Sequence, residues 1–101
     1  MDMRHLLEQA KNLERALAET DERLKKHEST GTAGGGAVEV RVNGAGDVTA
    51  LKIAPELVAG GDSNLVGQTV LAALRQATES SRRYREQQRA ALTGGLKLPE
   101  F

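Results

Sequence analysis

The chain has no cysteine and no tryptophan, and only one phenylalanine and one tyrosine among its 101 residues. Without cysteine there are no disulfides, no thiolate metal sites and no thiol nucleophile. A reducing cellular interior is compatible with that composition. So few rings exclude an aromatic core and a conventional base-stacking surface. Proline is scarce as well, at two residues. No stretch approaches the roughly 20 apolar residues that a membrane-spanning helix needs. No apolar run follows a basic start, so no secretory signal is expected. Net charge is lacking too, since 14 Lys and Arg face 14 Asp and Glu. What remains is one small domain over 1–101, 39% hydrophobic, with few large side chains to bury. Such a domain is marginal alone, and an oligomer is expected.

Glycine divides the chain. Residues 2–28 contain no Gly or Pro, residues 29–61 hold 8 of the 11 glycines, and 62–92 are glycine-poor before a short tail over 93–101. In order, the blocks read as a helix, a glycine-rich sheet, a second helix and a mobile tail. In the first block Met3, Leu6, Ala10, Leu13, Leu17, Thr20 and Leu24 recur at alternating spacings of 3 and 4. That is the seam of a coiled coil. A helix of this length makes a rod of about 40 Å. It outruns any core this chain can build, so part of the seam is expected to meet another subunit.

The middle block changes period. Val38 to Val42 alternates apolar and polar residues, the mark of a half-buried strand, and Val48 to Ile53 forms a second with Leu51 and Ile53 on one face. Asn43-Gly44-Ala45-Gly46-Asp47 between them reads as a hairpin turn. Residues 29–34 read as a short edge strand, with Gly34-Gly35-Gly36 as the bend that follows. Pro55 ends the sheet. Asp62 or Ser63 then caps the second helix. Its expected apolar face is Val66, Val70, Ala73, Ala77, Ser80, Tyr84, Gln87 and Ala91. The face turns polar after Ala77, so the second half is expected to project from the core.

No catalytic constellation is visible. His5 and His27, the only histidines, lie 22 residues apart on one helix, and neither has a metal-ligand partner of the right type at i+3 or i+4. The carboxylates are interleaved with Lys and Arg, as on a solvated face. The glycine run at 31–36 lacks the Lys-Ser/Thr of a phosphate loop and leads into a strand. No enzyme, cofactor, metal or small-molecule substrate is expected.

The charges are segregated, however. Residues 1–28 hold 6 basic and 7 acidic residues, whereas residues 62–101 hold 6 basic and 4 acidic. In that last block Arg75, Arg82, Arg83, Arg85 and Arg89 face only Glu79 and Glu86. An arginine-biased rod suits bidentate phosphate contact. The same pattern also fits a solvated coiled-coil flank laced with ion pairs. No motif for reading bases accompanies it.

Several short motifs then occur in order. They are Gly31-Thr32-Ala33-Gly34-Gly35-Gly36-Ala37-Val38-Glu39-Val40, Asn43-Gly44, Leu51-Lys52-Ile53-Ala54-Pro55-Glu56-Leu57, and Thr93-Gly94-Gly95-Leu96-Lys97-Leu98-Pro99. Together they resemble the YbaB/EbfC family of bacterial nucleoid-associated proteins over nearly the whole chain. Ala54 departs from the family's usual Asp, and Val58 to Asp62 is not its usual acidic stretch. The resemblance implies an α+β fold: an α-β-β-β-α subunit whose antiparallel three-stranded sheet is flanked by two long helices. It implies a homodimer with projecting helical arms. It also implies cytoplasmic, nucleoid DNA binding with little sequence preference, in nucleoid organisation and gene regulation.

Two functional expectations follow. One is a DNA-binding homodimer that contacts phosphates through Arg75, Arg82, Arg83, Arg85 and Arg89. Its expected dimer interface is Leu6, Leu13, Leu17, Leu24, Val38, Val40, Val42 and Val70. The other is a non-catalytic interaction or assembly module working through coiled-coil-like helices, which the acidic first helix favours.

Overall fold

A computed structural model describes residues 2–93. The element order is α1 (Met3–Lys26), β1 (Glu28–Ala33), β2 (Val38–Asn43), β3 (Val48–Ile53), α2 (Pro55–Ala59) and α3 (Ser63–Thr93). This is the expected α-β-β-β-α order with one addition, the five-residue α2. Pro55 ends β3 as anticipated, but it does so at the first position of a helix, where its missing N–H costs nothing. The tail beyond Thr93 lies outside the described residues.

Both long helices are capped by their own side chains. The Asp2 carboxylate accepts from the Arg4 N–H at 3.2 Å, and the Asp62 carboxylate accepts from the Leu65 N–H at 3.1 Å. Each satisfies one of the orphan donors of a first turn.

The sheet is antiparallel in the order β1-β2-β3, with Gly31 opposite Val40 and Val40 opposite Leu51. This register places Ser29, Gly31, Ala33, Val38, Val40, Val42, Val48, Leu51 and Ile53 on one face. The β2–β3 turn is held by Asn43, whose Oδ1 accepts from the N–H groups of Ala45 and Asp47, both at 3.0 Å. Gly46 takes the positive φ of 96° that the turn requires.

Helix α3 lies across that face over β1 and β2. Val38, Val40, Val42, Ala73 and Ala77 form the core at 0–1% exposure. Gly31 makes this approach possible. A Cβ there would sit 2.6 Å from the Ala77 amide nitrogen and closer still to the Ala73 carbonyl oxygen. Only a residue without a side chain lets the helix settle this low.

The buried line along α3 is Thr69, Ala73, Ala77 and Ser81. Ser81 is therefore the inward serine, and Ser80, expected there from a strict heptad, is exposed. At 3.6 residues per turn each step of four passes a full turn by about 40°, so the buried line winds around α3 as the helix crosses the sheet, and position 81 replaces position 80 on the inward side. The expected departure from the core after Ala77 is correspondingly late. The Ser81 hydroxyl donates to the Asn43 carbonyl at 2.6 Å, and Arg85 Nη1 donates to the Gly44 carbonyl at 3.2 Å.

α1 reaches the same end of the sheet. The Gly44 N–H donates to the His27 carbonyl at 2.8 Å, and the His27 and Tyr84 rings stack with centroids 3.5 Å apart and planes 7° apart. His27 is thus a half-buried joint residue rather than a solvated helix histidine. Gly44 is squeezed between the helices, since a Cβ on it would lie 2.7 Å from the Leu24 carbonyl oxygen and 3.1 Å from the Tyr84 ring.

From this joint α1 runs out and α3 continues past the sheet. Only Thr20 and Leu24 of α1 are buried. The molecule measures 69 × 24 × 16 Å, with a radius of gyration of 19.6 Å, against about 13 Å for a compact domain of this length.

Candidate nucleic-acid interface

All five candidate arginines belong to α3, and the structure sorts them by what they already hold. Arg75, Arg82 and Arg89 are exposed and stand seven residues apart. Seven residues return a helix to within about 20° of the same direction, so the three form one stripe facing away from the sheet. Successive members are separated by about 10 Å along the axis. Arg83 sits on another side of the helix, and its side chain is 71% exposed. Arg85 is half-buried at the joint, where its bond to Gly44 makes it a fixed part of the fold.

Two carboxylates stand beside the stripe. Glu79 Oε1 and Oε2 accept from Arg82 Nη2 and Nε at 2.5 and 3.0 Å. Glu86 Oε1 accepts from Arg82 Nη1 at 2.5 Å, and Glu79 also accepts from Arg83 Nε at 3.3 Å. The hydrogen bond from Arg82 holds the Glu79 carboxyl below its ordinary value, assisted by the nearby positive charges. The same two carboxylates push the Arg82 guanidinium further up. The ion-pair pattern anticipated as an alternative to phosphate binding is therefore present at Arg82 and Arg83.

The residues expected at a dimer interface separate into two groups. Leu24, Val38, Val40 and Val42 are at 0–4% exposure inside the single subunit. Their surface is spent on α3 and the α1 joint and is not offered to a second chain. Period-2 and heptad patterns mark which side of an element is apolar, without saying which partner covers it. Leu6, Leu13 and Leu17 keep 42–46% exposure on the projecting part of α1. Val70 is half-buried against the core.

Further apolar surface was not anticipated. Val48 and Leu51 share the core face of the sheet but lie on β3, beyond the reach of α3, at 56% and 50% exposure. Leu71 of α3 is 44% exposed. The Leu51 and Ile53 alternation announced the apolar face of β3, but not that Ile53 packs against the core while Val48 and Leu51 stay exposed. The joint formed by His27, Tyr84, Gly44 and Arg85 was also missed. Its one sequence signal is that the chain's single Tyr lies on an otherwise polar stretch of helix.

Among the described residues, no helix is long and apolar enough to cross a membrane, and no group of three or more His, Asp or Glu could hold a metal ion.

The sequence model of the YbaB/EbfC DNA-binding family matches residues 1–96. The chain belongs to the YbaB/EbfC DNA-binding family. It is 37% identical over 101 residues to a nucleoid-associated protein of Desulfotalea psychrophila, covering 100% of this chain and 95% of that one. It is also 37% identical over 99 residues to a nucleoid-associated protein of an Anaeromyxobacter species, covering 98% and 96%. Its fold is that of an uncharacterized protein from Helicobacter pylori, whose crystal structure superimposes with a TM-score of 0.83 at 23% identity, over 93% of this chain and 99% of that one. The family is one of DNA-binding proteins, not of enzymes.

Proposed function

We propose that this protein binds DNA on the bacterial nucleoid as a homodimer, grips phosphates with little regard to sequence, and so contributes to nucleoid organisation and gene regulation. The observation that carries the reading is the outward stripe Arg75, Arg82 and Arg89 on a helix that projects past its own sheet. Arg83 adds a fourth cation beside it, and Arg85 anchors the rod to the hairpin turn. Phosphate contacts of this kind fix position without reading bases. The chain offers no base-reading motif and almost no aromatic surface.

The dimer is supported by the small size of the core. The fully buried cluster is three valines and two alanines, and a small domain with so little to bury gains from further burial. Leu6, Leu13 and Leu17 on α1, with Val48, Leu51 and Leu71 beside the core, are the exposed apolar groups that a second copy would cover.

Gel-shift assays with unrelated duplexes, combined with a mass measurement in solution, test this reading. Wild-type protein should bind each duplex similarly and lose affinity steeply with salt. Arg75→Glu with Arg89→Glu should weaken binding on every duplex, reduce the salt slope by about two units, and leave the dimer mass unchanged. No binding at about 50 mM salt would favour the interaction module, for which the bare stripe of α1 is the specific support.

A further inference from the structure

Arg82 is the middle member of the outward stripe, yet every nitrogen of its guanidinium is engaged. Glu79, one turn before it, takes Nε and Nη2, and Glu86, one turn after it, takes Nη1. All three side chains remain open to solvent, at 46%, 44% and 61% exposure. Exposed ion pairs are individually weak, so they can be exchanged. A carboxylate presents the guanidinium fork with the same two-oxygen edge as a phosphodiester. Arg75, by contrast, forms no ion pair among the described residues.

We propose that Glu79 and Glu86 act as built-in competitors for the Arg82 guanidinium, so that Arg82 contacts a DNA phosphate only when a carboxylate is exchanged for it. The inference rests on the reading of α3 as a phosphate-binding rod and adds a regulation of that site. An incoming phosphate meets an arginine flanked by two negative charges instead of an open cation. A single phosphate gains little from the exchange, because it replaces one anion by another and leaves the displaced carboxylate beside it. A polymer held at a neighbouring position by Arg75 makes the exchange locally, without a further loss of translational freedom. The rod is thereby tuned to phosphate polymers over free phosphate or mononucleotides, and its affinity is set by its carboxylates as much as by its arginines.

A double-mutant cycle on the full chain provides the test. Four forms are compared by fluorescence anisotropy on one duplex of arbitrary sequence at low salt: wild type, Arg82→Ala, Glu79→Gln with Glu86→Gln, and all three changes together. Glutamine keeps nearly the helix propensity of glutamate, and circular dichroism confirms that α3 is intact. Arg82→Ala should cost less than about twofold in the wild-type background and about tenfold in the carboxylate-free one. The Glu79→Gln, Glu86→Gln form should also show a salt slope steeper by about one unit and gain affinity for inorganic phosphate. Equal costs of Arg82→Ala in the two backgrounds would overturn the proposal even if the carboxylate-free form bound more tightly, because additivity reports net charge alone. Binding by no form at all would overturn the parent reading as well, and the two failures are distinguishable.

Discussion

Replacing Gly31 by Ala adds a single methyl group at the point where the sheet and α3 touch. The ideal Cβ position is 2.6 Å from the Ala77 nitrogen and 3.0 Å from the Ala77 Cβ, with the Ala73 carbonyl oxygen nearer than either. These are mainly backbone atoms of a helix, so no side chain can rotate away. The helix itself has to lift by about an ångström from Val38, Val40 and Val42. Overpacking of well-filled cores costs about 1–3 kcal/mol, and more where backbone must move, so the upper end of that range is expected. Each kcal/mol lowers the melting temperature of a domain this size by about 4–8 °C. A fall of about 12–24 °C follows for 3 kcal/mol. The measurement is thermal unfolding at one fixed protein concentration, since association would make the midpoint concentration-dependent. Gly35→Ala is the comparison. A Cβ there meets nothing within 4 Å, and only its φ of 68° resists, at a cost of about 1–2 kcal/mol. If Gly31→Ala were no more damaging than Gly35→Ala, the seating of α3 on the glycine would be refuted. Because that seating sets the direction in which Arg75, Arg82 and Arg89 point, DNA affinity should fall with it.

Ser81→Ala removes the buried hydroxyl that satisfies the Asn43 carbonyl and should lower stability by about 1–3 kcal/mol in urea denaturation. Ser80→Ala should stay within about 0.5 kcal/mol, and the reverse order would mean that the helix phase is wrong. The pH response of Glu79 has a definite sign. Its carboxyl is held below the ordinary 4.5 chiefly by the hydrogen bond from Arg82. The stabilisation is therefore complete above the unfolded-state value and is lost as pH falls through the lowered folded one. Thermal stability of wild type relative to Glu79→Gln should decline between about pH 5 and pH 3, and parallel curves would contradict the pairing.

The order of elements was legible because each depends on local chemistry. Helix-period residues without Gly or Pro made α1, period-2 valines made β2, Asn43-Gly44 made the turn, and Asp62 made the cap. The arginine bias of α3 was equally plain, since charge segregates along the chain whatever the fold. Local chemistry thus settles which residues are apolar, which are cationic and which way the chain can turn. Tertiary structure alone decided what each apolar face meets. A valine on β2 and a leucine on β3 carry the same alternation, yet Val40 is sealed beneath α3 while Leu51 stays exposed, because Gly31 draws the helix toward β1 and away from β3. The heptad of α1 is uniform in the same way, yet Leu24 is buried at a joint made by Gly44 and Tyr84, and Leu6, Leu13 and Leu17 are not. Burial depends on contacts between positions far apart in the chain, and a periodic pattern records only the side on which an apolar residue falls.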